Sequence, residues 1–359
     1  MLIDSVSIIG AGNCGCALAA DLLSRGKRVM LYSHPLHNRN ACIIHKRGGF
    51  KSVRELDGWY NPQLSLLMSD AIRFSNVIII TVPAYGHDSI IAELSQFDLS
   101  EHTIICITGN FFSLLAKQQL NAKEFVETST SPYSSRFENG QLHVKGIKKC
   151  MMVGSIPKGM SNTLKKSIED IFPMTLKWCE NILEISLSCI SGVIHPTPML
   201  MNSGWIEASG SDFYFYKDGM SPSVVKVMEA IDKERKNIAV NLGLDVCSMI
   251  EIMNMYYGCS YDNYADFARE SKTHNSMPTT PHNLQHRYIN QDVPYVLVPW
   301  YKLGVKFGIT SPIIESIIRL ASTVNSVNYF ESGRSLHALA IDGYSKEKLI
   351  DACEKLGAR

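Results

Sequence analysis

One short stretch limits the fold more than any other. Val6 to Ile9 is a mostly apolar run that ends at Gly10, and Ala17, Leu18, Ala20, Leu22 and Leu23 then recur with helical spacing. Buried strand, glycine turn and helix form the context in which a G-x-G-x-x-G match, here Gly10-Ala11-Gly12-Asn13-Cys14-Gly15, carries weight. In that context Gly10 permits the tight turn, Gly12 lets backbone approach a pyrophosphate, and Gly15 lets the helix pack close to the strand. Amides at the helix start, with the helix dipole behind them, favour an anion there. The stretch predicts an α/β fold that begins with a Rossmann-type, doubly wound parallel sheet and binds a nucleotide at the glycine turn. The alternative is a glycine turn in a core that holds no ligand.

The 359 residues suffice for two domains with real cores. Formal net charge is +1, and the longest basic run, Lys145 to Lys149, is interrupted by Gly146 and Ile147. Nothing in that balance favours nucleic acid or a membrane surface. No apolar stretch reaches the length of a membrane span. The chain enters a strand at once, so no secretory leader is expected. The ten cysteines are scattered, with no C-x-x-C pair and no Cys/His cluster at zinc spacing. No metal, reduced thiols and a cytoplasmic location are therefore expected. Cys14 lies in the phosphate loop, where an adduct would block a cofactor; simple packing is the plainer reading.

Arg28 to Ser33 reads as the second parallel strand. An NAD-type sheet usually ends this strand with a carboxylate for the ribose 2′-hydroxyl. Here stand Ser33 and His34, with Arg39 close behind. A missing carboxylate and a nearby cation suit a 2′-phosphate, so NADP is favoured and NAD stays open, since Arg39 can equally face solvent. A short strand or hairpin is expected around Phe50 to Val53, and a helix over Ser69 to Ser75. Val77 to Val82 is a strong buried strand stopped by Pro83. Ligands of open sheets lie beyond the carboxyl ends of the strands, which places Thr81 and Pro83, on to His87, near the nicotinamide. Ile104 to Thr108 and Lys123 to Thr130 read as further strands, Phe111 to Leu120 as a helix, and Gln141 to Lys145 with Cys150 to Ser155 as a hairpin around Gly146. A boundary near Leu176 to Leu187 separates a first domain, 1–186, from a second, 187–359.

The second half is dominated by helical periodicity. Ser221 to Leu242 is its clearest helix, with Ser221 as N-cap, Pro222 in the first turn and Gly243 as the stop. On it Asp232, Lys233, Glu234 and Arg235 read as a solvated face. Val293 to Phe307 reads as a helix kinked at Pro299. Thr310 to Val324 and Lys346 to Leu356 complete a mostly α-helical domain. Two constellations here can carry chemistry. His195 lies between Val193-Ile194 and Pro196-Thr197-Pro198, on stiff backbone expected to be non-helical; by itself it is as readily a structural histidine. Downstream, Arg287 suits a two-pronged clamp on a carboxylate, and Asp292 suits holding a histidine in one tautomer. The plain alternatives are a surface ion pair for Arg287 and, for Asp292, an N-cap on the helix at Val293.

Taken together these blocks resemble the opine dehydrogenases, the octopine/nopaline dehydrogenase family, nearly end to end. The resemblance is carried by Gly10-Ala11-Gly12-Asn13, Thr81-Val82-Pro83, Thr130-Ser131-Pro132-Tyr133, His195-Pro196 with Pro198, and Phe215-Tyr216. It continues through Ile231-Asp232-Lys233-Glu234-Arg235, Tyr256-Tyr257-Gly258, His286-Arg287-Tyr288 with Asp292, and Gly333-Arg334-Ser335-Leu336. It is most similar in appearance to the octopine synthase type of bacterial plasmids, down to Asn38-Arg39-Asn40. The resemblance implies reductive condensation of a 2-oxo acid (pyruvate or 2-oxoglutarate) with the amino group of an amino acid, using NADPH or NADH, and the reverse oxidation. It implies His195 as catalytic acid/base, Asp292 as its orienting partner and Arg287 as the oxo-acid anchor. Gly10, Gly12, Asn13, Cys14, Gly15, Ser33, Arg39, Thr81 and Pro83 would hold the cofactor. The amino-acid pocket is less legible: Tyr133, Trp205, Glu207 and Tyr214 are its candidate walls, and Glu207 suits a basic amino acid or faces solvent. The partners implied are small molecules, with no nucleic acid and no membrane, and a homodimer stays open. Two rivals remain, an NADP-dependent reductase of a plain 2-oxo or 2-hydroxy acid and a non-catalytic NADP(H)-sensing protein; the intact His195, Arg287 and Asp292 set speaks against the second.

Overall fold

The first apolar run becomes strand β1 (Ser5–Ile9) of a computed structural model that describes residues 3–210, 212–276 and 280–356. The chain divides into two compact units, Met1–Ile185 with Ile350–Arg359, and Ser186–Leu349. The last helix, Lys346–Glu354, thus begins in the second unit and ends in the first, where Lys117 donates to the carbonyls of Ala352 and Lys355. The sequence pattern alone assigns this helix wholly to the second domain.

In the first unit β1 is followed by β2 (Arg28–Tyr32), β3 (Phe50–Arg54), β4 (Gly58–Tyr60), β5 (Gln63–Ser65), β6 (Val77–Ile80) and β7 (Thr103–Cys106). Then come β8 (Glu124–Thr128), β9 (Tyr133–Glu138), β10 (Gln141–Ile147), β11 (Cys150–Ile156) and β12 (Thr175–Trp178). Eight form one sheet in the order β12-β11-β8-β7-β6-β1-β2-β5. The six from β8 to β5 are all parallel, and β11 joins β8 antiparallel. Leu31, Ile8, Ile79, Ile105 and Val126 stand in register across five of them and are fully buried, as strands covered on both faces require. Strand order reverses between β1 and β6, the point where an open α/β sheet leaves a crevice at its carboxyl edge.

The other four strands form a small sheet, β4-β3-β10-β9. Here the sequence reading fails: Gln141 to Lys145 does not pair with Cys150 to Ser155, because β10 belongs to the small sheet and β11 to the large one. The true hairpin is β9–β10, turning at Asn139 and Gly140 with φ of 49° and 77°. Gly146 marks a bulge within β10 and not a turn. The small sheet covers the outer face of the helix Asn13–Ser24. Asn13 accepts the Phe137 amide through its side chain (2.8 Å), and the Tyr133 hydroxyl donates to Asp21 (2.9 Å). That helix is therefore buried almost all round, not along one stripe.

The second unit packs around the helix Pro222–Asn241, against which lie Ser191–Ile194, Pro196–Met201, Val298–Lys306 and Pro312–Asn325. Asp232 and Arg235, expected on a solvated face, are buried in it. Arg235 forks onto Asp232 (2.7 and 2.9 Å) and donates to the carbonyls of Leu187 and Cys247, while Asp232 also accepts the Met249 amide. Glu234 caps the helix Pro312–Asn325 by accepting the amides of Ile313 and Ile314. These charges tie loop ends and helix starts to the central helix, which is why they lie inside. The expected kink at Pro299 is instead a π-helical turn, Val293–Leu297, with Pro299 in the first turn of the helix that follows. Among the described residues no helix is long and apolar enough to cross a membrane, and no group of His, Cys, Asp and Glu could hold a metal ion.

Candidate active site

The two units each carry part of the expected chemistry. In the first, the carboxyl ends of β1 and β6 are tied together: the Thr81 hydroxyl is shared between the carbonyls of Ile9 (3.1 Å) and Gly10 (3.0 Å). The three glycines do different work. Gly10 has φ of 121°, and a Cβ there would lie 2.8 Å from the Thr81 hydroxyl oxygen. A Cβ on Gly15 would lie 1.9 Å from the Gly10 carbonyl oxygen, so only glycine lets the helix approach the turn. Around Gly12 there is open space within 4 Å. Gly12 is also the N-cap of Asn13–Ser24, whose first turn carries no acidic side chain. A turn fixed on both flanks and open at the middle glycine, at a helix start, fits a pyrophosphate.

Further along the same edge the residues sort differently. Ser33 is buried and donates its hydroxyl to the His37 carbonyl (3.2 Å). Arg39 begins the helix Arg39–Arg47, is exposed, and has no ion pair or hydrogen bond among the described residues. Asn40 ties that helix to the glycine loop through the Ala11 carbonyl (2.8 Å). Pro83 opens a short turn closed by the Gly86 amide on its carbonyl. Cys14 is half-buried and accepts the Ser131 hydroxyl (3.4 Å). His87, read as part of the crevice edge, turns inward instead and packs edge-on against Phe112. At the end of β7, Thr108, Asn110 and Phe111 all take positive φ (60°, 50° and 65°), and Gly109 backs onto the buried Glu127 carboxylate. Strained backbone of this kind clusters at binding edges; nothing in the residue types announced it.

In the second unit His195 and Asp292 meet. The imidazole Nδ1 lies 2.6 Å from Asp292 Oδ2, and the Ser191 hydroxyl donates to Oδ1 at 3.0 Å. A carboxylate only accepts, so Nδ1 carries the hydrogen and Nε2 is the nitrogen left to exchange a proton. The Asp292 side chain is 2 % exposed and that of His195 17 %, so the pair is shielded while the ring keeps one open side. Asp292 makes no N-cap bond to the turn after it, which removes its plain reading. His195 is not on extended backbone: it joins the short helices Ser191–Ile194 and Pro196–Met201. The meeting depends on close approach at Gly192, where a Cβ would lie 2.8 Å from Val296 of the π-helical turn. That turn is held from its other side by the Arg334 amide on the Pro294 carbonyl (2.9 Å), with the Arg334 guanidinium over the Tyr295 ring. Ser191, Gly192 and Arg334 carry no sequence signal for this task; Ser191 and Gly192 lie close before His195 and Arg334 within Gly333-Arg334-Ser335-Leu336, but nothing in their type names it.

Arg287 opens the one-turn helix Arg287–Asn290, five residues before Asp292. Its side chain is exposed and has no ion pair or hydrogen bond among the described residues, which excludes the surface ion pair. The candidate pocket walls are placed as follows. Tyr133 is buried in the first unit, with its hydroxyl on Asp21. Trp205 stacks on Phe213 (4.0 Å between centroids) and Glu207 is exposed on the same helix, Ser203–Ser209; neither touches His195, Tyr288 or Asp292 among the described contacts. Tyr214 is half-buried, its amide on Asp218.

Comparison with known proteins bears on this arrangement. A family described as NAD/NADP octopine/nopaline dehydrogenase, alpha-helical domain, matches residues 178–325, and one described as NADP oxidoreductase, coenzyme F420-dependent, matches residues 5–110. The chain is 30% identical over 353 residues to Protein ocs of Agrobacterium tumefaciens (strain Ach5), covering 97% of this chain and 98% of that one. It is 30% identical over 365 residues to the opine dehydrogenase of Arthrobacter sp. (strain 1C), again over 97% and 98%. A solved octopine dehydrogenase with NADH and L-arginine shares its fold at a TM-score of 0.76 and 16% identity, over 99% of this chain and 98% of that one.

Proposed function

Because the chain belongs to the octopine/nopaline dehydrogenase family and is an NAD(P)H-dependent opine dehydrogenase acting on CH–NH donors, we propose that His195, Asp292 and Arg287 carry its reaction and that NADPH is the preferred reductant. The observation that carries this reading is the 2.6 Å bond between His195 Nδ1 and Asp292. It fixes one tautomer and leaves Nε2 to work.

The amine of an amino acid adds to the carbonyl of a 2-oxo acid, pyruvate or 2-oxoglutarate, and loss of water gives an imine. When bound, NAD(P)H supplies the hydride that reduces the imine carbon. His195 Nε2 delivers a proton in this direction and takes one in the oxidative direction, and Asp292 stabilises the ring while it is charged. General acid/base help of this kind is worth roughly 10²–10⁴-fold. Arg287, exposed and with no carboxylate partner among the described residues, pairs with the oxo-acid carboxylate through two N–H groups. Gly10, Gly12 and Gly15 shape the turn for the pyrophosphate, with the helix start of Asn13–Ser24 behind it.

NADPH is favoured because Ser33 stands where a carboxylate would repel a 2′-phosphate. Arg39, in addition, is a cation in the first turn of a helix, where it does not stabilise the helix dipole. Ten free thiols suit work in the reducing cytoplasm.

The test is NADPH oxidation with pyruvate or 2-oxoglutarate against a panel of amino acids, basic ones first because a related enzyme was solved with L-arginine. Oxidation should require the amine. Oxidation with the oxo acid alone would establish the plain reductase instead. His195→Ala should cut turnover severely with cofactor affinity near normal, and Arg287→Lys should raise the oxo-acid KM far more than the amine KM. Ser33→Asp should move preference from NADPH towards NADH; an unchanged ratio would remove Ser33 from the ribose site.

A further inference from the structure

The imidazole of His195 has a second support. The ring of Tyr288 lies flat against it, with centroids 3.8 Å apart and planes 11° from parallel. Tyr288 is itself held on both sides, edge-on by the His286 ring (4.5 Å, 86°) and by Phe215 (5.2 Å, 41°). His286 also accepts the Tyr288 amide through its side chain and so caps the one-turn helix on which Tyr288 sits.

We propose that Tyr288 is a positioning residue for His195, and that the helix Arg287–Asn290 sets the substrate anchor and the plane of the imidazole together. The inference rests on the reading of His195 as acid/base and of Arg287 as anchor. One hydrogen bond at Nδ1 fixes a point on the ring but lets the ring swing about that bond, which would sweep Nε2 through an arc. A flat partner removes that freedom, because any swing forces the two rings into each other or opens a gap. Its electron-rich face also favours the imidazole while it carries charge. Arg287 and Tyr288 are adjacent on an element of four residues. A carboxylate drawn to Arg287 therefore acts on the element that carries the ring platform. Beyond Tyr288, burial and the neighbouring Tyr288, Tyr264, Tyr257 and Asp292 push the Tyr216 hydroxyl far above its ordinary range.

The experiment compares Tyr288→Phe, Tyr288→Leu and Tyr288→Met, the last two keeping bulk without an aromatic face. The substrates are the oxo acid and amino acid chosen by the panel. Leu and Met should lower kcat on the order of ten- to a hundredfold, the range expected for misplacing a reacting group, with NADPH affinity unchanged and Phe near wild type. In histidine-labelled protein, the carbon-bound protons of His195 should show the upfield displacement of a stacked ring in wild type and Phe, and lose it in Leu and Met. In a His195→Asn background, Tyr288→Leu should change the residual rate by less than about threefold, since a residue acting through another loses its effect with it. The proposal is overturned if Phe is as damaging as Leu, if Leu and Met keep full kcat or the displaced resonances, or if the Leu effect persists undiminished without the imidazole. If instead His195→Ala alone keeps its turnover, it is the acid/base reading that fails.

Discussion

Replacing Asp292 by Asn tests the site at its most shielded point. The change keeps the shape and removes a charge. In the wild type both carboxylate oxygens are used, Oδ2 by His195 Nδ1 and Oδ1 by the Ser191 hydroxyl. The amide has one oxygen and one NH₂ to offer. If the oxygen faces His195, Ser191 must turn to accept from the NH₂; its contact with the Cys189 thiol (3.3 Å) gives its own proton somewhere to go. If the NH₂ faces His195, the ring must take the other tautomer and lose the working hydrogen pattern. In either case the imidazole loses its counter-charge, in a place where the Asp292 side chain is 2 % exposed and water cannot replace it. A hydrogen bond to a charged group is worth about 1.5–3 kcal/mol, which is roughly ten- to 150-fold in rate. A wrong tautomer raises the loss to about 10⁴-fold, as it does in a serine protease triad. The expected outcome is a fall in kcat of about 10–10⁴-fold in both directions, with the affinity for NADPH, measured by fluorescence quenching, unchanged. A loss below about threefold, or an equal loss of NADPH affinity, would show that the carboxylate is merely structural and refute the tautomer argument.

Three further outcomes follow from the geometry. Gly12→Ala should fold normally, having open space around it, and weaken NADPH binding, whereas Gly15→Ala should fail to fold or lose thermal stability, its Cβ lying 1.9 Å from a carbonyl oxygen; equal stabilities would remove the close-approach argument. Burial lowers the Lys148 amine to about 8, so the unfolded chain binds more protons between about pH 8 and 10 and stability should rise with pH there. The full cost, on the order of 3 kcal/mol before its bond to the Ser131 carbonyl is counted, is present below pH 8. Lys148→Met should therefore compare best with wild type at pH 7 and lose that advantage by pH 10 in urea melts; a pH-independent difference would contradict the sign. Arg235→Met strands the buried Asp232 charge and should destabilise by about 3–5 kcal/mol, while the double change Asp232→Leu with Arg235→Met should recover most of that loss; an unrecovered double variant would mean that the backbone bonds of Arg235 matter more than its charge.

The parts legible in sequence are those whose cause is local. Strand, Gly10 turn and helix are specified within about twenty residues, and Ser161 likewise caps Asn162–Glu169 by accepting the Leu164 amide three residues on. The β9–β10 hairpin was equally local and still missed. Asn139-Gly140 is a strong turn signal, but Gly146 drew the turn to itself. A glycine in a strand serves a bulge as well as a turn, and only the partner strand distinguishes them: β10 pairs with β9 and β3, while β11 pairs with β8 and β12. Tyr133 shows the same limit. It belongs to a block shared with the family, yet its hydroxyl meets Asp21, 112 residues earlier, and no local pattern supplies that contact.

Charge is illegible for a different reason. Residue type gives the cost of burying a group and says nothing about the partners that offset it. Asp232, Glu234 and Arg235 looked like a wet face because four charges in a row usually are one; in the fold, five backbone groups from three other segments come to meet them, the carbonyls of Leu187 and Cys247 and the amides of Met249, Ile313 and Ile314. The His195–Asp292 pair obeys the same rule. His195 and Asp292 are 97 residues apart, and neither type nor spacing says that they touch. What brings them together is a glycine, Gly192, too small to keep Val296 away, and the Arg334 amide that holds the turn from behind. Filling Gly192 with a methyl group should therefore separate the imidazole from its carboxylate without altering either, and the Gly192→Ala enzyme should show the low kcat and normal NADPH affinity expected of Asp292→Asn. An enzyme with Gly192→Ala and full turnover would mean that the pair is held by something other than this close approach.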